Sequence, residues 1–266
     1  MRTILEKNRK TNLEPLTGCF LFRHAHGPHV GSFYINIPKN ASQAIRDALH
    51  CQLNWRDYSE VESYSPPVFI NGAGVLETFD KEPEGIETKS QDIKKICALR
   101  NPIYRTISVY QHILKLTDEG AKDIYPTHIT ENTAFYKKRQ EIKEEYNDEV
   151  CIEAFNLFLE FISNGNFYHR VASPQIKFLK DKNLSQKDID LFLIVENLQA
   201  DLEKLWELMR MPFPLTLKHR NATHSEDMET LTKYVETNSE VRKKILGIYS
   251  EDADLYEQIT KTKIKI

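Results

Sequence analysis

The sequence predicts an α/β protein with a central parallel sheet flanked by helices. Three observations carry that expectation. Apolar runs at residues 32–37, 93–99 and 191–195 each end abruptly, at Pro38, Arg100 and Glu196. Each run is followed by apolar residues at helical spacing, and strands alternating with helices imply parallel pairing with helices on the sheet faces. Of the 266 residues, 40% are hydrophobic and 28% charged, enough to bury a core of ordinary size. With no internal repeat and no low-complexity linker, one domain spanning residues 1–266 is expected.

Along the chain, residues 1–30 read as an irregular N-terminal arm. The run at 32–37 reads as a strand, and from Ser42 onward Ile45 and Leu49 mark a helix face. "YSPPVFINGAG" reads as loop with room for a short strand. Ile93 to Leu99 reads as a buried strand stopped by Asn101-Pro102, with the proline suited to a first helical turn. Ile103, Ile107, Tyr110 and Leu114 then share one helical face. Residues 116–150 are polar, with dense charge of alternating sign, and read as a solvated helical insertion. Ile152, Phe155, Leu159 and Ile162 form the next stripe, with Gly165 as its stop. After the strand at 191–195, Asn197 is a candidate N-cap, and Leu198, Leu202, Leu205, Trp206 and Met209 form a buried stripe. Two further helical patterns carry Met228, Leu231 and Val235, then Val241, Ile245, Ile248 and Tyr249.

Several function classes are disfavoured. The net charge of −3 is not that of a general nucleic-acid binder. The four cysteines (Cys19, Cys51, Cys97 and Cys151) form no CxxC pair, which fits reduced thiols better than zinc or a disulfide framework. No stretch reaches the ~20 apolar residues of a membrane span, and a cytoplasmic location is expected. His24, His26 and His29 lie in "RHAHGPH", which lacks the further ligands and spacing of a standard metal site and reads as a loop.

Lys39, Arg100 and Glu196 all fall at strand ends, where open parallel sheets bind their ligands. A turn feeding a helix N-terminus offers unpaired N–H groups and the positive end of a dipole to an anion. The first turn adds Lys39, Asn40, Ser42 and Gln43 as donors. The second adds Arg100, with Arg105 and Ser108 inside the following helix, and arginine grips phosphate in bidentate fashion. Arg105 also reads as a structural cation paired with a carboxylate beneath its helix. Two anion sites imply a ligand charged at two ends. A P-loop is excluded, because no G-x-x-x-x-G-K-[ST] occurs; neither does G-x-G-x-x-G.

These residues resemble the sulfotransferases that use 3′-phosphoadenosine 5′-phosphosulfate (PAPS), particularly their carbohydrate branch. "IPKNAS" is similar to the 5′-phosphosulfate loop of that family, and "LRNPIYRTISVY" to its 3′-phosphate motif. "YHRVASPQIKFL", "LFLIVENLQADLEKL", "KHRNAT" and "IYSEDADLYEQI" follow in family order. The resemblance implies a P-loop-NTPase-like fold without a Walker motif and PAPS as donor substrate. It implies that Lys39 meets the 5′-phosphosulfate and its bridging oxygen, with Asn40, Ala41, Ser42 and Gln43 around the 5′-phosphate. It gives the 3′-phosphate to Arg100 and Ser108 and lets Arg220 close over the nucleotide. Asn101 stands where the family has aspartate, a change expected to touch helix capping and not the ligand grip. The histidine base of heparan-sulfating relatives has no counterpart between the two motifs.

In-line sulfuryl transfer moves less charge than γ-phosphoryl transfer, so no metal is expected; a lysine offsets the charge on the bridging oxygen and positioning supplies much of the rest. A hydroxyl acceptor, such as one on a glycan, wants a base within ~2.6–3.2 Å. His112, His169, Glu77 and Asp57 are candidates, with His169 preferred and His112 next. The alternatives to an O-sulfotransferase are a kinase-like phosphotransferase and a non-catalytic module binding 3′-phosphoadenosine 5′-phosphate (PAP) or a sulfated glycan.

Overall fold

A computed structural model describes residues 19–24, 31–42, 44–45, 74–79, 93–115, 137–138, 141–142, 147–165, 171–208 and 226–265. Its strands are β1 (Cys19–His24), β2 (Gly31–Ile35), β3 (Gly74–Phe79), β4 (Ile93–Leu99) and β5 (Leu191–Ile194). Its helices are α1 (Pro102–Lys115), α2 (Asp148–Ser163), α3 (Gln175–Lys180), α4 (Leu198–Leu208), α5 (Glu226–Thr237), α6 (Ser239–Ile248) and α7 (Ser250–Thr260).

The three strands expected from the sequence form the parallel part of one open sheet, ordered β3-β1-β2-β4-β5. β2 pairs with β4 and β4 with β5 in parallel, with Ile35 opposite Cys97 and Leu99 opposite Ile194. Their carboxyl ends therefore share one edge. Buried residues alternate onto both faces of the parallel strands, with Ile96 and Ala98 on one and Cys97 and Leu99 on the other. Burial on both faces is why these runs read as continuously apolar.

Two findings correct the sequence reading. Within the segment read as an irregular arm, Cys19–His24 forms β1, and the sheet is mixed because β1 is antiparallel to both β2 and β3. The connection from β1 to β2 is short, and short connections return a strand antiparallel, whereas a parallel return needs a long crossover. "CFLFRH" has no clean alternation to announce it.

The chain divides into two compact units, residues 1–99 with 178–220, and residues 100–177 with 221–266. In the first, Tyr34, Ile96, Ala98 and Leu193 pack with Ile45 and with Leu198, Leu202 and Leu205 of α4. Each isoleucine or leucine among them contributes roughly 1.5–3 kcal/mol on burial. Asp201 ties α4 to the sheet by accepting the Ile194 N–H at 2.6 Å. Val195–Asn197 is a 3₁₀ turn running directly into α4. Met209 lies outside the described residues.

The second unit is helical. α1, α2, α5 and α6 bury Ile103, Ile107, Tyr110, Phe155, Leu159, Ile162, Leu231, Val235 and Ile245 in one cluster. The Tyr110 and Phe155 rings meet edge to face, with centroids 5.1 Å apart. Asn147 caps α2 by accepting the N–H groups of Glu149 and Val150 at 2.8 and 3.3 Å. Gly165, at φ 78°, ends it and returns its N–H to the Ile162 carbonyl. Most of the 116–150 insertion lies outside the described residues. Among the described residues, no helix is long and apolar enough to cross a membrane.

Candidate donor site

β2 delivers a buried run, Tyr34 to Pro38, to the carboxyl edge of the parallel strands. The backbone then changes hand twice: Lys39 has φ 67° and Ala41 has φ 55°, while Asn40 between them does not. Left-handed backbone in residues other than glycine stores of order 1–3 kcal/mol each and persists only where the surroundings impose it. Here the surroundings are visible. Asn40 is fully buried, and its Nδ2 donates to the Ala98 carbonyl of β4 at 2.7 Å. Its backbone N–H returns to the Ile37 carbonyl at 3.3 Å. The Ser42 hydroxyl donates to the same carbonyl at 3.0 Å. The Ile45 N–H reaches the Ala41 carbonyl at 3.0 Å, the first bond of a helix.

A turn whose residues alternate in hand can turn successive N–H groups into one concavity, a shape suited to an anion; here the Asn40 N–H is already engaged by the Ile37 carbonyl. The helix start adds its orphan N–H groups and dipole. Lys39, half-buried at the same turn, adds an ammonium. The structure thus gives Asn40 and Ser42 building roles in this turn: both side chains hold its shape. Gln43 lies outside the described residues.

The second candidate element begins where β4 ends. Asn101 caps α1, its Oδ1 accepting the Ile103 N–H at 2.9 Å, and Pro102 takes the first helical position. Asparagine therefore does the capping expected at this position. Arg100, half-buried, has its backbone bracketed by one side chain: its N–H donates to Gln175 Oε1 at 3.0 Å, and its carbonyl accepts from Gln175 Nε2 at 2.9 Å.

Along α1 from Pro102 to Leu114, every residue is buried except Tyr104, Ser108 and His112. These stand at i, i+4 and i+8, so they form a single stripe. Ser108 and His112 therefore share the accessible face of the helix, as their spacing predicts. The Tyr104 hydroxyl donates to Glu236 at 3.2 Å.

Arg105 is on the buried side, 1% exposed, with Nη2 donating to the Val171 carbonyl at 2.9 Å. Burial lowers its pKa, while the fields of Tyr249 and Asp252 raise it. Burial raises that of Tyr249, whose hydroxyl donates to the Ala172 carbonyl at 2.8 Å. Burial also raises that of Asp252, against the pull of Arg105 and of the N–H groups of Gln175 and Ile176, which it accepts at 2.7 and 2.9 Å. Arg105 is thus built into the buried side of α1 through the Val171 carbonyl, within the field of Asp252.

A model described as the sulfotransferase family matches residues 28–257. The chain belongs to the sulfotransferase family. The match contains both candidate elements of this sulfotransferase and ends inside α7. No curated protein and no solved structure matches the chain.

The other candidates are distributed as follows. His169, Arg220, Asp57, His26 and His29 lie outside the described residues; His24 closes β1. Glu77 is in β3, two strands from β2, opposite Leu21 of β1. The residues that sequence reasoning missed are Gln175, Tyr249 and Asp252. All three lie in segments quoted above, "YHRVASPQIKFL" and "IYSEDADLYEQI", but periodicity does not say which polar groups there are buried or what they meet.

Proposed function

We propose that this sulfotransferase takes its sulfuryl group from PAPS and passes it to a hydroxyl of a glycan-like acceptor. Family membership supports sulfuryl transfer from a nucleotide donor to a hydroxyl. The choice of PAPS rests on the 39–41 turn, whose alternating backbone hand and ammonium match a 5′-phosphosulfate. It rests also on Arg100 and Ser108 at the motif that resembles the 3′-phosphate site.

In this reading the acceptor oxygen forms a bond to sulfur as the bond from sulfur to the bridging oxygen breaks, leaving PAP. Lys39 offsets the charge gathering on that bridging oxygen, a role in which a single donor is worth about 10²–10³-fold in rate. The hydroxyl proton goes to a histidine, His169 first and His112 second. His112 has the accessible face of α1 in its favour. The base is identified by comparing His169→Ala with His112→Ala: general-base loss lowers kcat by about 10²–10⁴-fold, and the other variant stays near wild type.

The function is tested by following PAP release from PAPS over desulfated glycan acceptors. Acceptor-dependent release supports the proposal. Release of ADP from magnesium-ATP instead identifies a phosphotransferase. Tight PAP binding with no turnover over any hydroxyl acceptor identifies a binding module.

A further inference from the structure

Gln175 is 1% exposed, and its side-chain amide pairs with both backbone groups of Arg100, as a neighbouring strand would. Three buried side chains from distant parts of the same unit anchor the segment that carries it. Arg105 holds the Val171 carbonyl, Tyr249 the Ala172 carbonyl, and Asp252 the N–H groups of Gln175 and Ile176. Arg105, Tyr249 and Asp252 are themselves 1% exposed each. So much buried polar bonding is costly unless complete, and when complete it fixes a unique geometry. All of it converges on one place: the N–H and carbonyl of Arg100 are both held by Gln175.

We propose that Gln175 is the positioning residue that aims the Arg100 guanidinium at the 3′-phosphate of the donor. This rests on the donor reading given above. A guanidinium on a mobile backbone makes a poor bidentate grip, because the ordering has to be supplied on binding; a backbone held beforehand avoids that loss. Gln175 therefore sets selectivity for a 3′-phosphorylated nucleotide and touches no donor atom itself.

The test compares affinity for PAP with affinity for adenosine 5′-monophosphate (AMP), which differs from PAP by the 3′-phosphate alone. Gln175→Leu is expected to weaken PAP binding by about tenfold, the usual scale for a lost buried hydrogen-bonding partner, with AMP affinity unchanged. In an Arg100→Ala background, Gln175→Leu is expected to add no further loss, since residues acting through one another are not additive. Equal weakening of PAP and AMP, or undiminished preference for PAP, overturns the inference. If Gln175→Leu does not fold, Gln175→Glu serves: its carboxylate keeps the acceptor but not the donor, so preference for PAP is lost near neutral pH. That preference returns, relative to wild type at the same pH, as acid protonates the introduced carboxyl; no loss and no return overturn the inference. Wild-type protein that binds AMP as well as PAP is a separate result: it removes the donor reading itself and this inference with it, and it is seen before any variant is made.

Discussion

At residue scale the proposed chemistry rests on Lys39 and its neighbours. Lys39→Ala should lower kcat by about 10²–10³-fold while PAP affinity falls by much less, because the backbone concavity and Arg100 remain. Steady-state turnover and PAP titration separate the two quantities; parallel losses would contradict the role. Ala41, at φ 55°, is strained by its own methyl group. Ala41→Gly should therefore stabilise the protein by about 1 kcal/mol, read as a higher denaturation midpoint, and Ala41→Val should do the reverse. Unchanged midpoints would mean that the turn is not left-handed there. The placing of Lys39 in a turn between strand and helix was legible from the break at Pro38. The hand of the turn was not, because left-handed backbone is ordinarily announced by glycine or asparagine, and here lysine and alanine adopt it.

At the scale of elements, α1 serves two roles with two faces. Its accessible stripe carries Ser108 and His112; its buried side carries Arg105. Removing the guanidinium leaves the buried Val171 carbonyl without its donor, a change that destabilises by about 1–3 kcal/mol. Arg105→Met should show that loss in chemical denaturation; an unchanged midpoint would contradict the structural role. At the other end of the unit, Glu257 accepts from Lys263 at 2.8 Å and from the Ile264 N–H at 2.9 Å. The lysine first, then the N–H, hold its carboxyl below the usual range. A depressed folded pKa means that the contact contributes above the unfolded value of about 4.3 and is lost as pH falls through the folded value. Protection of the Ile264 amide, relative to its intrinsic exchange rate, should drop across that window. Glu257→Gln should lower protection at neutral pH and remove the step; an identical profile would contradict it. Helical stripes such as Phe155, Leu159 and Ile162 were legible because burial imposes a period. β1 was not, because an apolar run too short to show a period can be strand or loop.

At the scale of the molecule, the strand–helix alternation was enough to give the parallel sheet, and the six quoted segments in family order were enough to give the family. What sequence could not give are contacts between distant residues: Asn40 with Ala98, Gln175 with Arg100, and Asp252 with Gln175. Each joins polar groups whose partners are set by the fold and leave no local pattern. Those contacts shape both candidate elements, each within its own unit, and the proposed donor is what tests them. The direct measurement is thermal unfolding of the wild-type protein with PAP, AMP or magnesium-ATP at equal concentration. Ligand at one hundred times its Kd stabilises by about 2.7 kcal/mol, a clear shift for PAP. The account predicts that shift with PAP and little with AMP or magnesium-ATP; equal shifts with PAP and AMP, or a larger one with magnesium-ATP, would contradict it.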